Sequence, residues 1–305
     1  MRRIFVVLSV MLLGVGVKAQ TSEIGLCGGV SFYMGDLNPK GVFSGSRPAG
    51  GVLYRYNINP RFAFKANVLF GSMEASDAKT GGDMKRNLSF RSPLSEISAQ
   101  IELNFLRLYN ERGANPFTPY LFAGIALFSF NPQTELNGVW YDLQTMGTEG
   151  QDLNLQDPIT GVMYDKKRYS LTNFSIPFGL GMRVNFLKYY CIGLEWGFRK
   201  TFTDYIDDVS STYVRREFLI EYRSQLIADL ADRTTVVIGE TQNGEKIYDY
   251  HAAGTARGNN AKTKDWYSFA TLSFTFKLNH AKDCGLNKSG TSTVRTKNAK
   301  SKYRR

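Results

Sequence analysis

From Glu96 to Phe105 the chain switches between polar and apolar at every step. Ile97, Ala99, Ile101, Leu103 and Phe105 alternate with Glu96, Ser98, Gln100, Glu102 and Asn104. Side chains of an extended strand point to opposite faces in turn, so this run is a strand with one apolar and one polar side. The same signature recurs. We read eight strands: Ser22 to Met34, Gly50 to Ile58, Arg61 to Gly71, Glu96 to Leu108, Thr118 to Phe130, Leu171 to Leu187, Tyr190 to Phe202 and Trp266 to Leu278. Each reaches the about 9–11 residues that a tilted strand needs to cross a bilayer. The apolar faces are defined in most of them: Leu26, Val30 and Phe32 in the first, Val52 and Tyr54 in the second, Phe62 and Phe70 in the third, Phe174, Leu180 and Val184 in the sixth. The fifth is apolar on both sides and its facing stays open. The expected fold is all-β: an eight-stranded antiparallel transmembrane barrel of the outer-membrane kind, with long loops.

The intervals between strands support closure in one direction. Long connections fall at 36–49, 72–95, 131–170 and 203–265, and short ones at 59–60, 109–117 and 188–189. Outer-membrane barrels pair short periplasmic turns with long external loops, which puts all four long loops outside and both termini inside.

With the apolar faces turned to lipid, Glu23, Arg55, Lys65, Glu96, Glu102, Arg183, Glu195 and Arg199 turn inward. A basic side chain facing lipid at mid-depth costs about 2–4 kcal/mol, and a slip of one residue would move several of these outward. An eight-stranded barrel is barely wide enough for its own side chains. The expectation is a lumen filled by a paired charge network rather than a pore.

The last long loop departs from the strand rhythm. Between Tyr213 and Leu230, Val214, Phe218, Leu219, Tyr222, Leu226, Ile227 and Leu230 repeat at helical spacing. Thr234 to Gly239 and Lys246 to Tyr250 flank Asn243-Gly244, a hairpin signal. The loop is thus expected to fold, with a short helix, as a small cap or docking surface.

The ends divide the chain further. Met1-Arg2-Arg3, the apolar stretch Ile4 to Val17 and Lys18-Ala19-Gln20 read as a secretory signal peptide spanning 1–19 and cleaved after Ala19. The barrel with its loops then occupies 20–279. The segment 280–305 carries Lys282, Lys288, Arg295, Lys297, Lys300, Lys302, Arg304 and Arg305 against Asp283, and is expected to form a basic, disordered tail. The formal charge of +11 is therefore concentrated at the ends. Export disfavours nucleic acid as the partner of such a tail; anionic lipid, peptidoglycan-associated acids or an acidic protein face remain. Cys27, Cys191 and Cys284 are too scattered to suggest a disulfide framework or a metal site.

Little in the chain points to chemistry. His251 and His280 are the only histidines, and no Ser–His–Asp arrangement can be assembled from them. The group Asp204, Asp207 and Asp208 lacks the spacing and glycine of a calcium loop and reads as a solvated acidic stretch. Phosphate-loop, dinucleotide and zinc motifs are missing from the sequence. No catalytic residue, metal or cofactor is assigned.

Several stretches resemble the PorG family, an outer-membrane β-barrel component of the type IX secretion system of Bacteroidota. They are Ser31-Phe32-Tyr33-Met34-Gly35-Asp36-Leu37-Asn38-Pro39, Leu53-Tyr54-Arg55-Tyr56-Asn57-Ile58-Asn59-Pro60-Arg61, Leu88-Ser89-Phe90-Arg91-Ser92-Pro93, Thr118-Pro119-Tyr120-Leu121-Phe122-Ala123-Gly124-Ile125, Gly147-Thr148-Glu149-Gly150-Gln151, Ser175-Ile176-Pro177-Phe178-Gly179 and Arg199-Lys200-Thr201-Phe202-Thr203-Asp204-Tyr205. The likeness runs from about residue 22 to 212 and resumes in the last strand; the helix-bearing loop and the tail look like additions. The resemblance implies a non-catalytic protein that associates with a periplasmic ring of the lipoprotein PorK and its partner PorN and anchors it under the outer membrane for protein export. The candidate partner contacts are the charged positions Arg91, Glu149, Arg199, Asp204, Asp207 and Asp208. The alternative is a small OmpA/OmpW-like barrel for passage or binding of small apolar ligands.

Overall fold

The computed structural model describes residues 21–38, 43–80, 83–106, 116–186, 189–258 and 263–278. The expected signal peptide and basic tail lie outside these residues, as do His280 and Cys284. Eight long strands form the wall: β1 (Thr21–Met34), β2 (Arg47–Asn57), β3 (Phe62–Ser76), β4 (Ser89–Asn104), β5 (Phe117–Phe130), β10 (Thr172–Phe186), β11 (Tyr190–Thr201) and β14 (Trp266–Lys277). Each pairs antiparallel with its two neighbours in chain order, and β14 pairs with β1. The sheet is therefore a closed barrel with no free edge in its wall.

Between the wall strands lie shorter elements. Helix α1 (Asp77–Thr80) follows β3. The β6 (Gln133–Leu136) and β7 (Val139–Asp142) ribbon, helix α2 (Leu143–Met146), and the β8 (Leu155–Gln156) and β9 (Met163–Tyr164) pair follow β5. Helices α3 (Arg216–Tyr222) and α4 (Gln225–Ala231), with the hairpin β12 (Val237–Glu240) and β13 (Lys246–Tyr248), lie between β11 and β14. All these elements sit at one end of the barrel. At the other end, residues 58–61 make a tight connection between β2 and β3. There the Asn59 carboxamide oxygen accepts from the backbone N–H groups of Arg61 and Phe62, both at 2.8 Å.

Facing follows the sequence pattern. Ile97 is 63% exposed while Glu102, on the same strand, is fully buried. Leu26, Phe174, Leu180, Leu194 and Leu272 also lie on the outside. On β5, Leu121, Ile125 and Leu127 face out, whereas Tyr120, Phe122, Phe128 and Phe130 fill the lumen. Glycines on the neighbouring strands make room for these aromatics. A Cβ on Gly181, the register partner of Tyr120, would lie 2.4 Å from the Tyr120 ring, and one on Gly197 would lie 2.6 Å from Phe122.

Strand lengths depart from the expectation at the loop end. The connection expected at 72–95 is shorter, because β3 runs to Ser76 and β4 begins at Ser89. These extensions reverse the polarity of the wall. Met73, Ala75, Phe90 and Leu94 point inward and are buried, while Ser72, Glu74, Arg91 and Ser95 lie on the outer side. Above the apolar belt the wall faces water, and the interior becomes the dry side. The inverted pattern no longer reads as a lipid-facing strand, which is why the sequence reading ended the strands early. Phe32 is also corrected in environment: it faces outward, but Phe43 of the first loop covers it at 5.2 Å between ring centroids.

The helical period in the last loop resolves into two helices rather than one. Arg223 leaves helical geometry at φ −131°, ψ −91°, and Ser224 caps α4 by accepting from the Ile227 backbone N–H at 3.3 Å. Phe218, Leu219, Ala228 and Ala231 pack with Tyr164 and Val214 into a small core of their own. Among the described residues no helix is long and apolar enough to cross a membrane.

Candidate functional site

Three tiers stack along the barrel axis. The lowest is the charge network. Arg55 reaches Glu23 at 3.0 Å and makes two bonds to Glu102, at 2.9 and 3.1 Å. Lys65 pairs with Glu102 at 3.2 Å and with Glu195, which also accepts from the Tyr120 hydroxyl at 2.8 Å. Arg183 approaches Glu102 at 3.6 Å and donates to the Asn57 and Asn104 side-chain oxygens. Higher up, Arg199 forms two bonds to Glu96, at 3.1 and 3.4 Å, and the Tyr267 hydroxyl donates to the same carboxylate at 2.9 Å. The structure thus brings together all eight inward charges of the sequence reading: four acids (Glu23, Glu96, Glu102, Glu195) against four bases (Arg55, Lys65, Arg183, Arg199), a formal sum of zero. Lys277, which the sequence reading passed over, also faces inward and donates to Asn185 at 2.9 Å.

Above the charges the interior turns apolar. Leu69, Met73, Phe90, Leu94, Phe128, Phe130 and Phe269 from the wall meet Leu37, Leu143, Ile206 and Val209 from the loops. These side chains fill the lumen at the loop end.

The third tier locks the loops over this plug. Tyr33, at the end of β1, lies between two carboxylates: its hydroxyl oxygen is 2.6 Å from Asp207 and 2.8 Å from Asp265. The other oxygens of these carboxylates accept backbone N–H bonds from Val209 and Ile206. A hydroxyl has one hydrogen, so it donates to one carboxylate and the other must carry a proton of its own. Burial raises both groups, Asp207 to about 8, with the charge of Asp36 adding to it, and Asp265 well above the carboxylate range, with the charge of Asp207 adding to it. Beside them Arg86 grips Asp77 through two bonds, at 2.9 and 2.7 Å, and donates to the backbone carbonyls of Arg257 and Asp36. Arg257 lies 3.4 Å from both Asp208 and Glu149. Glu149 accepts from the backbone of Ser210 and Ser211, and Asp208 accepts from the hydroxyls of Thr148 and Tyr169. Asp204 accepts from the Ser210 hydroxyl at 2.9 Å. Burial pushes Asp204 and Asp208 up to about 6.

This arrangement corrects two expectations. Asp204, Asp207 and Asp208 are not a solvated acidic stretch; they are 3%, 1% and 0% exposed. Nor do Glu149, Arg199, Asp204, Asp207 and Asp208 present themselves to a partner. All five are buried, and their polar atoms bond within the chain. Arg91 alone of the six reaches the outer face, with its guanidinium over the Trp140 ring at 3.9 Å. His251 lies with Asp232, at 3.0 Å, and stacks on Tyr213. The aspartates of the mouth are not its partners. Among the described residues no cluster of His, Cys, Asp and Glu could hold a metal ion.

The sequence reading missed Tyr33, Asp77, Arg86, Arg257 and Asp265. They come from the end of β1 and from two connections, β3–β4 and β11–β14, and meet only in the folded chain. The one local signal was Ile206-Asp207-Asp208-Val209, two acids between apolar residues, which is unusual for a loop that meets water.

The profile of a family described as a domain of unknown function, DUF6089, matches residues 2–146. No curated protein matches the chain. Among solved structures, the chain is similar to Neisserial surface protein A (NspA), with a TM-score of 0.40 and 10% identity over 85% of this chain and 99% of that one. The N-terminal β-barrel domain of OprF from Pseudomonas aeruginosa gives a TM-score of 0.33 at 9% identity, over 85% and 98% of the two chains. The attachment invasion locus protein Ail of Yersinia pestis gives 0.34 at 9% identity, over 85% and 97%.

Proposed function

We propose that this chain is a non-catalytic subunit of the type IX protein secretion machinery, set in the outer membrane as a barrel, that anchors a periplasmic ring built from a PorK-like lipoprotein and a PorN-like protein. The observation that carries the reading is the filled lumen. A neutral ion-pair network lies under a dry apolar plug, so the barrel has the makings of a fixed support and lacks a water-filled path. The apolar outer belt fits lipid. The sequence resemblance supplies the secretion role.

The loop end and its braces lie opposite the tight connection at 58–61. With the long loops outside the cell, ring proteins would meet the rim that carries 58–61, the first residues of β1 and the last residues of β14. Arg91 and the buried charges of the mouth would lie on the far side from them.

The test is a pull-down of the tagged chain from detergent-solubilised outer membrane. Ring proteins should co-purify, and deletion should abolish cargo export while leaving small-solute permeability unchanged. A chain recovered alone, in cells that export cargo normally, would sink the reading. The filled lumen speaks against the small-ligand alternative.

A further inference from the structure

A small cavity lies inside the cap, between the apolar plug and helix α4. Leu37, Leu88, Leu143, Val209 and Leu230 form its apolar walls, and Ser89, Thr134, Asp207, Arg233 and Arg257 its polar ones. It has room for one water or one monatomic ion. Its donors outnumber its acceptors. Arg257 is 3% exposed, and its Nε–H has no acceptor, although its Nη1 serves Asp208, Glu149 and Thr148. Arg233 makes no ion pair among the described residues. Its Nη1 donates to the Ser89 hydroxyl at 3.0 Å and the Thr134 hydroxyl at 2.8 Å. Burial disfavours the charge of Arg233, and the carboxylate that offsets this, Glu135, is exposed on β6. Each hydroxyl accepts from Arg233 and still has its own hydrogen to give; the 3.5 Å contact between the two can use only one of these.

An orphaned buried N–H, a half-buried guanidinium without an ion pair among the described residues and a spare hydroxyl hydrogen therefore belong to residues that line one small space. Leaving such donors unmet away from water is costly, so an occupant that only accepts is favoured. We propose that the cavity is a binding site for a monatomic anion of the chloride class, held by Arg233, Arg257 and the Ser89 and Thr134 hydroxyls. The ion would tie β4, β6 and the segment after α4 together and stabilise the closed cap. Asp207 is the acid on the cavity wall. Burial holds its proton on, Asp36 acts the same way, and the Tyr33 hydroxyl and Arg86 oppose it; Asp204 acts on the neighbouring Asp265, and the site is least opposed when Asp207 is neutral.

The test uses the full chain in detergent micelles at pH 6. Thermal unfolding is followed in sodium chloride, sodium bromide and sodium gluconate at equal ionic strength. Chloride and bromide should raise the midpoint saturably over gluconate. Arg233→Gln should weaken the apparent halide affinity about tenfold or more, as loss of a charged donor predicts. Thr134→Val, which keeps both arginines, should weaken it less and serves if Arg233→Gln does not fold. Crystals soaked in bromide should show an anomalous peak between Arg233 and Arg257. Equal midpoints in all three salts, a halide shift that survives both variants, or an ordered water in place of bromide would each overturn the proposal.

Discussion

Individual side chains in this protein are held by one of two kinds of arrangement. Within the lumen's eight-membered network every acid faces a base, so removing one partner strands another. Glu102→Ala would leave Arg55, Lys65 and Arg183 short of a shared carboxylate. Breaking a buried pair in this way costs about 3–5 kcal/mol, and equilibrium unfolding from lipid vesicles in urea should register a loss of that order. In the cap, ion pairs such as Arg86–Asp77 stand beside buried carboxyls that keep their protons. Asp207, Asp204 and Asp208 hold theirs to about 8, about 6 and about 6, against about 3.9 in an unfolded chain. Between those limits the folded cap binds more protons than the unfolded one. Their contribution to stability is thus complete below about pH 4 and drains away as pH rises through 6 to 8. Proteolysis of the 203–265 segment should accordingly be faster at pH 9 than at pH 5. Asp207→Asn, which is neutral at every pH, should flatten that dependence; an unaltered slope in the variant would count against the shared proton.

Strands β3 and β4 each obey two opposite rules along their length. In the lower part of β4, Ile97 and Ile101 point outward and Glu96 and Glu102 inward; in the upper part, Arg91 points outward and Phe90 and Leu94 inward. The change of solvent outside the wall is sufficient cause, since apolar side chains are buried from water but left exposed to lipid. The cost of a charge on the outer face should therefore depend on height. Ile97→Lys should destabilise the barrel by roughly 2–4 kcal/mol in vesicles. Ser95→Lys, on the same face and one step nearer the loops, should cost less, and Ser72→Lys almost nothing. Equal penalties at all three positions would mean that no membrane boundary lies there. Among the helices, α4 depends on its cap: Ser224→Ala should cost about 1 kcal/mol, read as earlier melting of the cap and not of the barrel.

Taken as one body, the protein is a closed wall around a filled interior, with its long connections folded into a lid. Planar-bilayer recordings should show no steady conductance at neutral pH, because the plug of Phe128, Phe130 and Phe269 lies across the axis above the ion pairs. Replacing Phe128 and Phe130 together with alanine would remove much of that plug. Discrete openings in this double variant, set against silence in the parent, would establish the plug as the barrier. Conductance in the parent chain would remove the main support for a purely anchoring role.

What the linear chain determined was the barrel and its contents. Strict alternation fixes which residues share a face, and the prohibitive cost of charge in lipid fixes which face is inside; Glu102 and Ile97 could be placed without coordinates for that reason. Alternation is blind where both faces are apolar, so β5 acquired its facing only when Tyr120 and Phe122 met the glycines of β10 and β11. It also misleads where the outer solvent changes, as at Met73 and Phe90. The cap was beyond it altogether. Tyr33 and Asp265 are separated by 232 positions, and Asp207 meets both only because the barrel closes and brings the start of β14 beside the end of β1. Local spacing carries no trace of such a meeting, and so acids that look destined for water in the sequence become, in three dimensions, the buried fastening of the lid.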